Sequence, residues 1–271
     1  MTTTPAILYP RLLLTGAAGA LGRVLRPRLK AHCQTLRVSD ISELEAAKTG
    51  EEVMPALALQ DAQAVDKLLD GVDGVVHLGG VSIERPFDEI LPANIVGMYN
   101  LYEAARKNGT RRIVFASSNH VTGFYKQSET VSPTMPVRPD GYYGLSKAFG
   151  ENIARFYFDR YGIETVCLRI GSSIPEPKDR RMLATWLSYD DLERLVLASL
   201  SAPVVGFSVI YGMSDNLAVW WDNASAKHLG YQPKDTSAVF KNAIESRQLS
   251  LDLNDPAVIY QGGGFVKNAP I

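Results

Sequence analysis

The chain has 271 residues, 46% of them hydrophobic and 21% charged, with a net charge of −1. That length suffices for one large α/β body with a small attached cap. A near-zero charge without a Lys/Arg-rich run gives no reason to expect nucleic acid as a partner. No apolar stretch is long enough to span a bilayer, so no membrane partner is expected either. Residues 1–11 lack the basic stretch and sustained apolar run of an export signal, and the expected location is the cytoplasm. Cys33 and Cys167 are the only cysteines and read as buried free thiols in a reducing compartment. His32, His77, His120 and His228 show no paired ligand spacing, so no metal is expected. The chain carries neither a Gly-x-Ser-x-Gly elbow nor a Walker lysine loop.

In chain order, 11–15 is a short apolar run ending in glycines, and 21–30 is helix-compatible despite Pro27. This predicts strand, tight turn, helix. Apolar runs recur at 36–39, 53–57, 74–78, 112–116 and 164–170, separated by helical segments that include 62–69, 95–107 and 143–161. Such alternation predicts an α/β fold, a Rossmann-like doubly wound parallel sheet covered on both faces. Asn108-Gly109 and Gly162 are C-terminal helix stops. After Ile170 the pattern changes: Pro175, Pro177 and the cluster Lys178, Asp179, Arg180, Arg181 predict a loop excursion. Ser188 then caps a helix running to 200, with Asp190, Asp191 and Glu193 in its first turns. A strand over 207–211 and a helix over 220–228 follow. The expected organisation is a Rossmann-like domain over 1–172 and a small C-terminal cap over 173–271, partly interleaved with the sheet. No repeat is visible, and the sequence singles out no surface for a homo-oligomer.

The run Thr15, Gly16, Ala17, Ala18, Gly19, Ala20, Leu21, Gly22 spaces its glycines i, i+3, i+6 at a strand-to-helix turn. Gly16 permits the turn, Gly19 lets backbone approach a pyrophosphate, and Gly22 lets helix and strand pack closely. Glycines alone also serve plain tight turns, but here they follow the first strand, and Asp40 ends the second. An acid at that spacing accepts hydrogen bonds from an adenosine ribose and repels a 2′-phosphate, which favours NAD over NADP. Arg23 and Arg37 are nearby cations, read as solvated. Leu78-Gly79-Gly80 and Ala116-Ser117-Ser118 end later strands, where an open parallel sheet has its ligand crevice.

Tyr143 and Lys147 lie four residues apart, which on a helix places phenol and ammonium on one face. A phenol titrates near ~10, so its use as a base near neutrality calls for a fixed cation beside it. Ser118 at a strand end adds a hydroxyl. His77 is read as fixing the turn before Gly79-Gly80. Asn94 is read as support for Lys147 or for a water beside it.

With these residues in place the chain resembles the extended short-chain dehydrogenase/reductases over nearly its full length, through Thr15 to Gly22, Asp40, His77 to Gly80, Asn94, Ser118 and Tyr143 to Lys147. The stretches around Ser118-Asn119-His120, Arg138-Pro139-Asp140-Gly141-Tyr142-Tyr143-Gly144, Arg169-Ile170-Gly171-Ser172, Arg181-Met182-Leu183 and Tyr260-Gln261-Gly262-Gly263 look like the uronate dehydrogenases. That resemblance implies NAD-dependent oxidation of galacturonate or glucuronate at C1 to the aldaro-lactone. It implies Tyr143 as base, Lys147 holding the ribose and lowering the phenol pKa, and Ser118 hydrogen-bonding the reacting hydroxyl. Ser82, Asn119, His120, Ser172 and Arg181 would bind the sugar acid, with Phe265 closing over it. Leu59, Leu78, Ser117 and Ile170 join the glycine loop, Asp40, Gly79 and Gly80 at the cofactor. Ala58-Leu59 stands where relatives carry an Asp toward the adenine, so that contact is either lost or supplied by backbone. Arg181 is preferred to Arg180 as carboxylate ligand because the family motif begins there. For His120, donation to a sugar hydroxyl and a bond to nearby backbone both stay open. A nucleotide-sugar epimerase or dehydratase and a non-catalytic NAD-binding protein are the rival readings; Asn119-His120 stands where a dehydratase would carry Asp-Glu.

Overall fold

The computed structural model describes residues 6–247 and 250–268; the first five residues of the segment read as free of an export signal lie outside them. The alternating pattern becomes one sheet of seven parallel strands. These are β1 (Tyr9–Thr15), β2 (Cys33–Ser39), β3 (Glu51–Val53), β4 (Gly74–His77), β5 (Arg112–Ser118), β6 (Glu164–Ile170) and β7 (Phe207–Gly212), in the order β3-β2-β1-β4-β5-β6-β7. The order reverses between β1 and β4, which opens a crevice at the strands' C-terminal ends. β7, from the C-terminal part of the chain, pairs with β6 from Thr165 opposite Phe207 to Ile170 opposite Gly212.

The helices are α1 (Ala20–Leu29), α2 (Ala62–Leu68), α3 (Phe87–Ile90), α4 (Gly97–Asn108), α5 (Tyr142–Tyr161), α6 (Met182–Thr185), α7 (Tyr189–Ser201), α8 (Lys241–Arg247) and α9 (Pro256–Ile259). The two-residue period of a strand divides the core. Leu12 and Leu14 face Leu25 and Leu29 of α1 and Leu192, Leu195 and Val196 of α7. Leu13, between them, faces Val65 and Leu68 of α2, Leu101 and Tyr102 of α4, and Ala154 and Tyr157 of α5. Both cysteines are buried free thiols. Among the described residues no helix is long and apolar enough to cross a membrane, and no His/Cys/Asp/Glu group could hold a metal ion.

Four expectations need correction. The third strand spans Glu51–Val53 rather than 53–57: Met54 still donates to the Val38 carbonyl, but the next donor to β2 is Leu57, to the Asp40 carbonyl, one residue later than the ladder's alternation requires, so the register is lost after Met54. The helix expected from 95 starts as α-helix at Gly97, after a π-helical turn over Leu91–Val96 that begins next to Pro92. The helix expected over 220–228 is absent. There Trp221 pairs with Val131 as an isolated bridge, its ring stacks on Tyr211 at 4.8 Å, and only Ala224–Leu229 turns, as a 3-10 helix. Finally, Arg37 is buried rather than solvated. Its guanidinium pairs with Glu52 at 2.8 Å and donates to the Leu68 and Asp70 carbonyls.

Candidate active site

A cleft of about 800 Å3 opens where the strand order reverses, and every candidate cofactor and substrate residue of the sequence reading lines it. At one end Gly16 has φ +70, and a side chain there would sit 2.7 Å from the backbone of Leu78 and Gly79, so the turn between β1 and α1 requires glycine. A side chain on Gly22 would overlap the Gly16 carbonyl. Helix α1 has no side-chain cap and no acid in its first turn, which leaves the amides around Ala20 and Leu21 facing the cleft beside Gly19 and Ala18, a fitting cradle for a pyrophosphate. Asp40 accepts from the Ala18 amide at 2.9 Å and from the Ser42 amide at 3.0 Å, so its carboxylate is fixed at the cleft edge. The exposed Arg23 donates Nε–H to the Ala18 carbonyl.

Opposite, His77 and Thr15 are joined at 2.7 Å through Nδ1 and Oγ1, and the Gly79 amide donates to that same Thr15 hydroxyl. Burial pushes His77 down to about 3, with the Lys147 ammonium adding to the effect, so the ring is neutral. Leu59 leans on Gly79, and the Leu59 carbonyl accepts from Asn100. Asn94, on the π-helical turn, accepts from the Val81 amide and donates to the Val81 carbonyl and to Ser146 Oγ. It therefore acts on the loop of Gly80, Val81 and Ser82 and on the residue before Lys147, not on the lysine's own ammonium.

Tyr143 and Lys147 sit on the first turns of α5, both buried, at 7% and 6% exposure. The helix has no cap of its own at Gly141; Glu84 supplies one from the loop after β4, accepting from the Tyr142 amide at 2.8 Å and the Tyr143 amide at 2.9 Å. Burial raises the phenol to about 12; the Ser118 hydroxyl pulls the other way and the Asp140 carboxylate adds to the rise. Burial likewise lowers the Lys147 ammonium to about 8. The expected lowering of the phenol by Lys147 is thus outweighed by burial. Nζ lies 5.7 Å from the Tyr143 ring centroid and 5.0 Å from that of Phe115, and desolvation dominates both groups.

Behind them, Glu151, one turn past Lys147, accepts from Ser117 Oγ at 2.6 Å and pairs with Arg169 through both oxygens. Arg169 continues to the Tyr211 hydroxyl, which meets Thr122. Ser117 thus reaches the cleft with its hydroxyl already engaged, whereas Ile170 presents an apolar wall.

On the substrate side, Ser118 Oγ accepts from the His120 amide, and Ser172 Oγ meets Thr185 Oγ1 at 2.8 Å. Arg181 donates Nε–H to the Gln261 carbonyl at 2.6 Å. With its amide turned to satisfy both neighbours, Asn119 donates to the Ile170 carbonyl and accepts from Arg181 Nη2 at 2.8 Å. Burial lowers the Arg181 pKa, against the opposing fields of Asp179 and Asp140, and Arg181 has no ion-pair partner among the described residues. A desolvated guanidinium without a carboxylate is costly unless an anion joins it. Phe265 stacks on His120 with ring centroids 3.8 Å apart.

Sequence reasoning missed three residues here. Asp140 holds His120 Nδ1 at 2.7 Å, Glu84 caps α5, and Ser173 has a buried hydroxyl in the cleft wall with no partner among the described residues. Asp140 lies inside the Arg138 to Gly144 motif, so its place was visible although its contact was not.

The model of the NAD dependent epimerase/dehydratase family matches residues 12–191. A uronate dehydrogenase of Pseudomonas syringae pv. tomato is 56% identical over 269 residues, 99% of this chain and 96% of its own. One of Pseudomonas putida is 55% identical over 100% of this chain and 99% of its own. The crystal structure of the Agrobacterium tumefaciens uronate dehydrogenase superposes with a TM-score of 0.94 at 52% identity, over 97% of this chain and 98% of that one. A mutant of that enzyme complexed with NAD matches equally well, at 0.94 and 51% identity over 97% and 99%. With the glycine cradle, the Tyr143–Lys147 pair and the unpaired Arg181 in one cleft, the chain belongs to the NAD-dependent epimerase/dehydratase family and, within it, to the uronate dehydrogenases.

Proposed function

We propose that this chain oxidises a uronic acid, D-galacturonate or D-glucuronate, at C1 with NAD and releases the aldaro-lactone. The observation that carries the reading is the pairing, in one cleft, of a buried phenol and amine with a buried guanidinium that has no carboxylate of its own among the described residues. The loop from Gly16 to Gly22 would hold the pyrophosphate at the start of α1, and Asp40 the adenosine ribose. When bound, NAD supplies the acceptor for the hydride that leaves C1.

The remaining chemistry belongs to the chain. Tyr143 takes the proton of the C1 hydroxyl as the C1–H bond breaks, with Ser118 hydrogen-bonded to the same oxygen. Because the sugar ring stays closed, the new carbonyl is that of a lactone. Lys147, whose Nζ is hydrogen-bonded to no group among the described residues, holds the nicotinamide ribose and, while charged, favours the phenolate. Arg181 binds the substrate carboxylate through the guanidinium edge that Gln261 and Asn119 leave open. Ser82, Asn119, His120 and Ser172 meet the sugar hydroxyls, and Phe265 covers the ring against water. The test is NADH appearance on purified protein with a panel of uronic acids, neutral aldoses and nucleotide sugars, NAD and NADP in parallel. Turnover confined to uronic acids and favouring NAD is the expected pattern; turnover of nucleotide sugars alone would overturn the proposal.

A further inference from the structure

The substrate side of the cleft is organised around a carboxylate that the reaction as described does not use. Asp140 is 4% exposed, and its Oδ2 lies 2.7 Å from His120 Nδ1. Glycines from separate segments make room for it. A side chain on Gly123, after the His120 turn, or on Gly262, in the C-terminal segment that carries Phe265, would overlap Asp140 Oδ2. One on Gly144, beside Tyr143, would overlap the His120 carbonyl and come within 3.3 Å of Asp140 Oδ1. The Gly262 amide also donates to the Gly123 carbonyl, and the Asp140 amide to that of His120. Three parts of the cleft wall therefore meet at one buried acid.

That acid is expensive. Oδ1 is buried with no hydrogen-bond partner among the described residues, a desolvation cost that packing alone would have removed by an apolar residue. What the carboxylate accomplishes is directional. An ionised carboxylate only accepts, so a neutral imidazole beside it carries its proton on Nδ1 and leaves Nε2 as a lone-pair acceptor. The ring itself is held by the Phe265 stack, at 25° and 3.8 Å, and by an edge contact with Tyr143 at 5.9 Å.

We infer that Asp140 is a positioning residue that sets the His120 tautomer, so that Nε2 accepts a hydrogen bond from a hydroxyl of the bound sugar acid, and that it locks the Phe265 segment over the same sugar. The inference rests on the uronate reading for the identity of the sugar, but not for the tautomer. It replaces both alternatives left open at His120, donation to a sugar hydroxyl and a bond to backbone: the ring donates to a side chain through Nδ1 and accepts from the substrate through Nε2.

The test has two independent arms. In ligand-free protein with 15N-labelled histidine, NMR of the imidazole nitrogens is expected to show His120 with Nδ1 protonated in the wild type. The Asp140→Asn variant, whose amide can donate to Nδ1, is expected to show the proton on Nε2 instead. In the kinetic arm, Asp140→Asn, nearly isosteric, is expected to lose about ten- to a hundred-fold in kcat/KM for the uronate while keeping its NAD affinity. Asp140→Leu should lose at least as much. A wild-type His120 protonated on Nε2, or an Asp140→Asn enzyme within about two-fold of wild type, would overturn the inference. A wild type inactive on every uronic acid would overturn the functional reading instead, and the NMR arm would still decide the tautomer.

Discussion

Tyr143 and Lys147 share one face of α5, with Lys147 Nζ 5.7 Å from the centroid of the Tyr143 ring. One helical turn sets that spacing, and the surrounding cleft sets its electrostatics. Burial holds the phenol near 12 and the ammonium near 8, so between those values both groups are neutral.

Activity should therefore depend on pH with a definite sign. Below its pKa the phenolate fraction grows tenfold per pH unit, and kcat/KM is expected to rise from neutral into alkaline solution. Lys147 is a cation only below about 8, so Lys147→Met should lose kcat/KM most at neutral pH, where the charge favours phenolate, and least well above pH 8. Initial rates across the pH range check this. A flat profile, or one that falls with pH, would contradict a tyrosine base.

Arg181 donates Nε–H to Gln261 O and Nη2–H to Asn119, and no acid among the described residues neutralises it. Arg181→Ala is expected to cost about ten- to a hundred-fold in kcat/KM for galacturonate, the scale of a charged hydrogen bond, and less than about three-fold for a neutral aldose. Arg181→Lys should recover part of the loss, since a point charge cannot reproduce a planar fork. Equal losses on acid and neutral sugars would show that Arg181 does not bind the carboxylate.

Glu84 closes the N-terminus of α5 on the amides of Tyr142 and Tyr143. Glu84→Ala leaves those amides without a side-chain acceptor. It should lower stability to urea by about 1 kcal/mol and reduce kcat through a loosened Tyr143, with NAD affinity little changed. Unaltered stability and kcat would mean that water replaces the cap at no cost.

The elements nearest the cofactor crevice were legible because their signals are local. The glycine run, Asp40 at the end of β2, and Tyr143 with Lys147 each depend on residues within a turn or one strand of each other, and the alternation that makes the sheet is a short-range period. The π-helical turn at Leu91–Val96 begins beside Pro92, whose missing N–H shifts a helix boundary, and β3 ends early where the chain slips one residue between Met54 and Leu57. What stayed hidden are contacts made only by tertiary folding. Glu84 is 58 residues from Tyr142, and Asp140 is 20 residues from His120. Trp221 lies flat on Tyr211 and gives Nε1–H to Gln261, and that packing overrides any local helical preference. The phenol pKa was hidden for a different reason: spacing shows the lysine, but only the cleft shows how strongly burial opposes both charges.

The most direct measurement is turnover and NAD binding by Tyr143→Phe, followed as NADH formation with galacturonate and as cofactor affinity on the same preparation. The expected result is a loss of turnover of about 100- to 10,000-fold with NAD affinity within about two-fold of wild type. Wild-type turnover in the variant would contradict Tyr143 as the base.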